Sequence, residues 1–222
     1  MMSDFFLALL LALIQGLTEF LPVSSSAHLL FPSLLFGAKD FGIVFDISVH
    51  TGTLAAVIYF FKKEIQGLLQ AWNPWTKTRN TENFSLGINL IVATVPIVLV
   101  GLLASDLTES RSANINSIAW ANLIFAGLLY AAYGYSSQSK SLTELTLFAA
   151  LIIGCFQALA VFPGASRSGM AITGALIIGL NIKDTSRFAF LLSIPTIMGA
   201  LILMIAKGAY SIALSDMLII LT

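Results

Sequence analysis

The chain has 222 residues, of which 58% are hydrophobic and 10% charged, and 11 basic residues balance 11 acidic ones. A soluble domain carries about 25% charged residues, so this composition excludes a water-soluble globule and a disordered chain. Zero net charge offers no basic field for a nucleic acid, and the single Cys155 excludes a disulfide framework. What remains is an all-α polytopic integral membrane protein, with a mean hydropathy of +0.93.

The apolar runs, in chain order, are Phe5 to Ile14 (short), Phe20 to Phe36 (interrupted by Ser24, Ser25, Ser26 and His28), and Gly42 to Phe61. Then come Leu86 to Ala104, Ile115 to Gly134, Leu145 to Phe162, the short Met170 to Leu180, Phe188 to Ala206, and a stub from Ile212 to Leu221. A full span needs about 20 apolar residues, so the short and broken runs do not cross alone. The run Phe5 to Ile14 has no basic region before it and no simple cleavage site after it, so it reads as part of the fold and not as a secretory signal.

Two polar breaks interrupt this pattern, Gln15 to His28 and Gln157 to Gly169. They share Gln-small-Leu followed by Phe, Pro and a serine cluster, and the fit needs a one-residue offset. Breaks of this kind survive at membrane depth only where protein or a wet cavity surrounds them. Lys62, Lys63, Lys77 and Arg79 make the loop after Phe61 the most basic and hence cytoplasmic. Counting from there puts Asp106 to Arg111 outside, and Ser136 to Glu144, Lys183 and Arg187 inside. The two breaks then enter from opposite faces, as in an inverted-topology repeat. The expected organisation is one membrane domain over 1–222. Its first repeat covers 1–135, with a re-entrant helix-loop-helix hairpin at 5–36 and three spans. Its second covers 145–222, with a re-entrant hairpin at 145–180, one span and a stub. By that symmetry roughly two helices, about 50 residues at about 1.5 Å rise each plus loops, are lacking after the last span.

In the first break, Gln15 and Glu19 are one helical turn apart and share a face. Pro22 disfavours helix at Leu21, and Ser24 to Ser26 are candidate caps for a second helix carrying His28. An ionisable Glu19 at membrane depth is a functional candidate by default. In the second break, Pro163 and Gly164 end a helix and let backbone approach a ligand. Ser166 and Ser168 can cap the next helix, and Arg167 between them suits bidentate recognition of phosphate. Two helix N-termini, hydroxyls, a guanidinium, a carboxylate and a histidine describe a centre that handles a phosphate anion. Asp46 and His50 read as interfacial, Trp72 and Trp75 as interface anchors, and Gly174 and Gly179 as helix-packing residues.

At these residues the sequence resembles the undecaprenyl-diphosphatase family, the bacitracin-resistance membrane phosphatases. Gln15-Gly-Leu-Thr-Glu19-Phe-Leu-Pro-Val-Ser-Ser-Ser-Ala-His28 is similar to the family's (Glu/Gln)-x-x-x-Glu motif with its serines and histidine. Pro163-Gly-Ala-Ser-Arg-Ser168 is similar to its Pro-Gly-x-Ser-Arg-Ser motif. The family's threonine position holds Ala171, and Thr173 lies about 200° further round a helix. The resemblance implies hydrolysis of undecaprenyl diphosphate to the monophosphate. That reaction recycles the carrier lipid for cell-wall synthesis and confers resistance to bacitracin. It implies a multi-pass protein of the bacterial inner membrane, with its site facing the periplasm, that uses a divalent cation, Mg2+ or Ca2+, with Glu19 as metal ligand. The catalytic set is then Glu19, His28, Ser25 and Arg167, with His28 as general base or acid and Ser25 or a water as nucleophile. Gln15, Ser24, Ser26, Gly164, Ser166 and Ser168 bind substrate. The partners are the polyprenyl diphosphate and the bilayer, with a homodimer left open. The rival reading is a transporter or flippase of an anionic polyprenyl phosphate, because broken helices in inverted repeats also build carriers.

Overall fold

The structure, a computed structural model, describes residues 4–73, 75, 80–103 and 114–206, without the side chains of Ile43 and Met204. Lys77, Arg79, the loop Asp106 to Arg111 and the stub Ile212 to Leu221 lie outside the described residues. Every named element among the described residues is helical, apart from an isolated bridge between Lys140 and Leu180.

The first helix, α1 (Asp4–Thr18), buries Leu7, Ala8, Leu11 and Gln15 at helical spacing. Its opposite face exposes Phe5, Phe6, Leu9, Leu10, Leu13 and Leu17. A helix that is apolar all round but buried on one side only has hydrocarbon as its other solvent. The chain turns at 19–23, where Pro22 cannot donate, and restarts as α2 (Ser25–Phe36) under the side-chain cap of Ser24. Gly37, at φ +62°, ends α2 in the left-handed conformation that favours glycine.

The longer helices come next. Helix α3 (Gly42–Phe60) is bent by 76° at Phe61 from the amphipathic α4 (Lys62–Trp72). After them lie α5 (Thr81–Leu103) and α6 (Ile115–Tyr135). The run Leu145 to Phe162, apolar enough to span, makes only α7 (Leu147–Ala158) and a 3-10 turn, Leu159–Val161. Twelve residues rise about 18 Å, short of a hydrocarbon core of about 30 Å. Helix α8 (Arg167–Ile178) is capped by Ser166 and ended by Gly179 at φ +94°. The last described helix is α9 (Ile182–Ala206). Among the described residues, three helices are long and apolar enough to cross a membrane, and four if α3 and α4 are taken together.

The core lies where α5, α7, α8 and α9 pack, around Ala93, Ile153, Ala175, Leu176, Phe188 and Leu192. Small residues set the approach, as is usual between membrane helices. A Cβ on Gly154 would sit 2.8 Å from the Ala93 Cα, and one on Gly174 3.1 Å from the Ile153 Cα. Gly174 is thus a packing glycine as expected, whereas Gly179 serves as a helix terminator.

Polar ties close the two ends of the molecule. Lys39 Nζ meets Asp4 Oδ2 at 2.6 Å, joining the outer ends of α1 and α2. The outer ends of α7 and α8 are joined through Lys140, whose N–H donates to the Gly179 carbonyl at 2.9 Å. On that same side the Leu142 N–H reaches Asp184 at 3.1 Å, and Arg187 Nε reaches Glu64 at 2.9 Å. The 19 residues of α3 run from just after Lys39 to just before Glu64, about 28 Å, so the two sets of ties lie at opposite ends.

Candidate active site

Glu19, the first residue beyond α1, is buried, and its carboxylate is the meeting point of three chain segments. From its own neighbourhood, Gln15 Nε2 donates to Oε2 at 2.6 Å and Ser25 Oγ donates to the same oxygen at 2.7 Å. From the far break, the Arg167 guanidinium pairs with Oε1. From α3, His50 Nε2 lies 3.2 Å from Oε2. Both oxygens are thus engaged, and a buried carboxylate of this kind is stable only because its partners replace the lost water.

The register of the two breaks explains why these side chains meet. Gln15 and Gln157, Ser24 and Ser166, and Gly37 and Gly179 are each 142 positions apart. Ser24 accepts from the Ala27 N–H at 3.3 Å, and Ser166 accepts from the Gly169 N–H at 3.1 Å. The two breaks therefore match without a shift at their glutamines, serine caps and glycine caps, and the one-residue offset belongs to the prolines alone. Ser25 and Arg167 are the first residues of α2 and α8, and each addresses Glu19. Two twelve-residue helices thus aim their N-termini, with unpaired N–H groups and positive dipole ends, into one region.

The other expected residues divide. Ser168 Oγ donates to the carbonyls of Leu21 at 3.0 Å and Glu19 at 3.2 Å, bracing one break against the other. Gly164, at φ +98°, makes its close approach to α6, since a Cβ there would lie 2.6 Å from the Ile118 carbonyl. Ser24 is spent on capping, and Ser26 is exposed. The His28 Nδ1 hydrogen-bonds the Ser24 carbonyl at 2.7 Å, and its ring packs near Phe31. Among the described residues, none of these three makes a hydrogen bond to the Glu19 carboxylate. Thr173 is fully buried and donates to the Gly169 carbonyl, away from the carboxylate. His50, read as interfacial from the sequence, belongs to the site. An ionisable residue inside a span is itself a signal, but the sequence does not say that α3 passes beside the first break.

Beside these groups lies a cavity of about 210 Å3. Ser166, Gly164 and Gly169 form one wall, Pro22 and Val23 a second, and α6 residues including Phe125, Ala126 and Leu129 a third. Its lining passes from a helix N-terminus to apolar side chains, as a phosphate carried on a hydrocarbon requires.

For a divalent cation the protein offers oxygen donors. Glu19 supplies a carboxylate, and Gln15 Oε1 is buried without a hydrogen-bond partner among the described residues. Among the described residues no three His, Cys, Asp or Glu side chains cluster as a metal cage. This donor set fits Mg2+ or Ca2+ only as a shared ligand, with phosphate oxygens completing the shell, which is how Mg2+ is commonly held.

Comparison with known proteins gives the family. A family model described as "Bacitracin resistance protein BacA" matches residues 8–221. An undecaprenyl-diphosphatase of Saccharophagus degradans is 50% identical over 194 residues, 87% of this chain and 73% of that protein. Similar proteins of the same name occur in Teredinibacter turnerae, at 46% identity over 87% of this chain and 74% of the relative. The one from Alcanivorax borkumensis is 44% identical over 89% of this chain and 75% of the relative.

Proposed function

The chain belongs to the BacA bacitracin-resistance family, and from that we propose that it is an undecaprenyl-diphosphate phosphatase. It hydrolyses undecaprenyl diphosphate to undecaprenyl phosphate and inorganic phosphate, recycling the carrier lipid for cell-wall synthesis and conferring resistance to bacitracin. The observation that carries this reading is the convergence of the first residues of two short helices, Ser25 and Arg167, on the buried Glu19.

Arg167 and the free N–H groups at the start of α8 bind the terminal phosphate and stabilise the charge that develops on its oxygens. Glu19 accepts the Ser25 hydrogen and so presents a lone pair of Ser25 Oγ, or of a water in its place, to the phosphorus. The bond between that phosphorus and the bridging oxygen breaks, and the lipid monophosphate leaves; where Ser25 is the nucleophile, a water then attacks the phosphoserine, the Oγ–P bond breaks, Ser25 regains its hydrogen and inorganic phosphate is released. His28, one turn into α2, supplies the leaving group's proton. Gln15, Ser166 and Ser168 hold the substrate and the loops around it, and the first carbons of the polyprenyl tail lie in the cavity against α6. A divalent cation shared by Glu19, the Gln15 amide oxygen and the diphosphate would neutralise phosphate charge.

We also read α1–α2 and α7–α8 as re-entrant hairpins of an inverted repeat. The constant 142-residue register and the ties at opposite ends support this. Lys62, Lys63, Lys140, Lys183 and Arg187 gather toward one end, which makes that end cytoplasmic. The first hairpin then opens to the periplasm of a bacterial inner membrane.

The test is phosphate release from undecaprenyl diphosphate by the purified protein in detergent. Arg167→Ala and Glu19→Gln are each expected to abolish it while the melting temperature shows a folded protein. Near-normal turnover in either would refute the site. In proteoliposomes, lipid translocation without phosphate release would point to the rival carrier instead.

A further inference from the structure

We propose that Asn122, on the long apolar helix α6, donates a hydrogen bond to the phosphate that stays on the lipid, and so sets where the diphosphate ends and the hydrocarbon begins in the cavity. This rests on the phosphatase reading and assigns a substrate contact to a residue outside both sequence motifs.

The cavity wall carries two polar side chains, Ser166 and Asn122. The Ser166 hydroxyl is committed, since it accepts from the Gly169 N–H at 3.1 Å and pairs with Ser168 Oγ at 3.2 Å. Asn122 is only half committed. Its Nδ2 donates to the Ile118 carbonyl at 3.0 Å. A carbonyl only accepts, which fixes the amide with its nitrogen on that side. An amide nitrogen carries two hydrogens, and the second has no acceptor among the described residues. An amide in so apolar a helix is costly unless it is used. Its common use is a hydrogen bond to another helix, but among the described residues Asn122 bonds only its own.

The placement of that spare hydrogen points to its acceptor. The Ile118 carbonyl that takes Nδ2 is the one on which Gly164 leans, where a Cβ would lie 2.6 Å away. Ser166, two residues on, caps α8. Asn122 therefore stands beside the loop that leads into the phosphate-binding helix. Ala126 and Leu129, one and two turns further along the same face of α6, line the apolar part. The order along α6 is loop contact, amide, hydrocarbon wall. The order along the substrate is terminal phosphate, lipid-side phosphate, tail. With the terminal phosphate at Arg167 and the start of α8, the two orders match with Asn122 at the lipid-side phosphate. A phosphate in an apolar chamber needs donors for its oxygens, and the charge on the acceptor strengthens the bond. Among the described residues no Lys, Arg or His lines this cavity. The donor is thus neutral, which lets the lipid monophosphate leave once the terminal phosphate is cut away.

Two replacements and two inhibitors test the contact. Asn122→Leu fills the same space without an N–H, and Asn122→Gln keeps the amide. Inorganic phosphate fills only the terminal position. A short-chain polyprenyl methylenediphosphonate has both phosphorus groups and a P–C–P link that resists hydrolysis. Each is added to the purified full chain in one detergent at fixed Mg2+, and the rate is read as undecaprenyl phosphate formed from undecaprenyl diphosphate. In Asn122→Leu the inhibition constant of the diphosphonate is expected to rise about 10-fold, the scale of one hydrogen bond to a charged group, while that of inorganic phosphate stays within about 2-fold. Asn122→Gln should stay within about 3-fold of the wild-type protein for both. A packing defect would not separate the two inhibitors.

An unchanged diphosphonate constant in Asn122→Leu would overturn the inference. A lower one would overturn it too, because leucine suits hydrocarbon better than an amide and the tail would then lie beside position 122. Equal weakening of both inhibitors would refute it by placing the contact on the terminal phosphate. Equal loss in the Leu and Gln variants would leave no role for the amide and refute it as well. If Asn122→Leu does not fold, Asn122→Thr takes its place, since its one hydroxyl hydrogen goes to the Ile118 carbonyl and leaves none for phosphate. Absence of turnover in the wild-type protein sinks the phosphatase reading and this inference with it. Wild-type turnover beside an unaffected diphosphonate constant in Asn122→Leu sinks the inference alone.

Discussion

At the scale of the residue, the centre is organised by shortage. Glu19 is a single carboxylate holding Gln15, Ser25, His50 and Arg167 together, so each partner carries more than it would in a site with several acids. Breaking a buried ion pair by removing one member leaves an uncompensated charge at a cost of about 3–5 kcal/mol. Glu19→Gln strands the Arg167 guanidinium and Arg167→Ala strands the Glu19 carboxylate; the carboxylate is the more deeply buried of the two, 4% exposed against 19%, so Arg167→Ala is expected to melt lower, which a melting comparison reads directly. Ser25→Ala is expected to lower kcat by more than about 100-fold if the hydroxyl attacks, and rapid-quench capture of phosphoserine decides between Ser25 and water. The buried, unpartnered Gln15 Oε1 offers a second lever. Gln15→Glu would place two carboxylates side by side, and the proposed shared cation predicts that it lowers the Mg2+ concentration needed for half-maximal rate, read by titration after chelation. Gln15, Glu19 and Arg167 were legible in the sequence because charge and amide are rare in such apolar runs, and one-turn spacing puts the first two on one face. His50 was not. Its place beside Glu19 depends on which helix passes there, and that is tertiary information.

At the scale of the element, the breaks were legible and their exact bounds were not. Serine caps and glycine terminators set twelve residues each for α2 and α8. Hydropathy alone extends the run Leu145 to Phe162 beyond the helix it forms, because the backbone leaves helical geometry at the 3-10 turn while the side chains stay apolar. Helix α7 is held by close backbone approach, so Gly154→Val is expected to force α5 and α7 apart at a cost of about 1–3 kcal/mol, seen as a lower melting temperature in detergent. The cavity against α6 makes a different demand. Ala126→Trp is expected to raise KM for the long-chain substrate several-fold while leaving turnover of a short-chain polyprenyl diphosphate near wild type. Equal effects on both substrates would place the tail elsewhere.

At the scale of the whole molecule, two short helix pairs opening toward opposite ends meet at their tips. In a protein with Cys155 replaced by Ala, a cysteine at position 39 is expected to react with an impermeant thiol reagent from the side proposed to be periplasmic, and one at position 140 only after the membrane is permeabilised. Labelling of both from one side would refute the opposed arrangement. The alternation of apolar runs and basic loops made a membrane protein legible at once. The helix crossings stayed hidden, because lipid-facing and protein-facing residues are equally apolar, as Leu123 and Leu192 show: the first is 64% exposed and the second fully buried.

The pairing of Arg167 with Glu19 has one further consequence. Without substrate, the guanidinium is already occupied by an anion the chain itself provides, so in the proposed mechanism the incoming diphosphate enters by exchange. When inorganic phosphate is ready to depart, the same carboxylate stands ready to reclaim the arginine. The built-in rival thus weakens capture and hastens release, favouring turnover over affinity. Glu19→Gln, which removes the rival's charge, is expected to bind inorganic phosphate more tightly than the wild-type protein by calorimetry, even as it ceases to produce any.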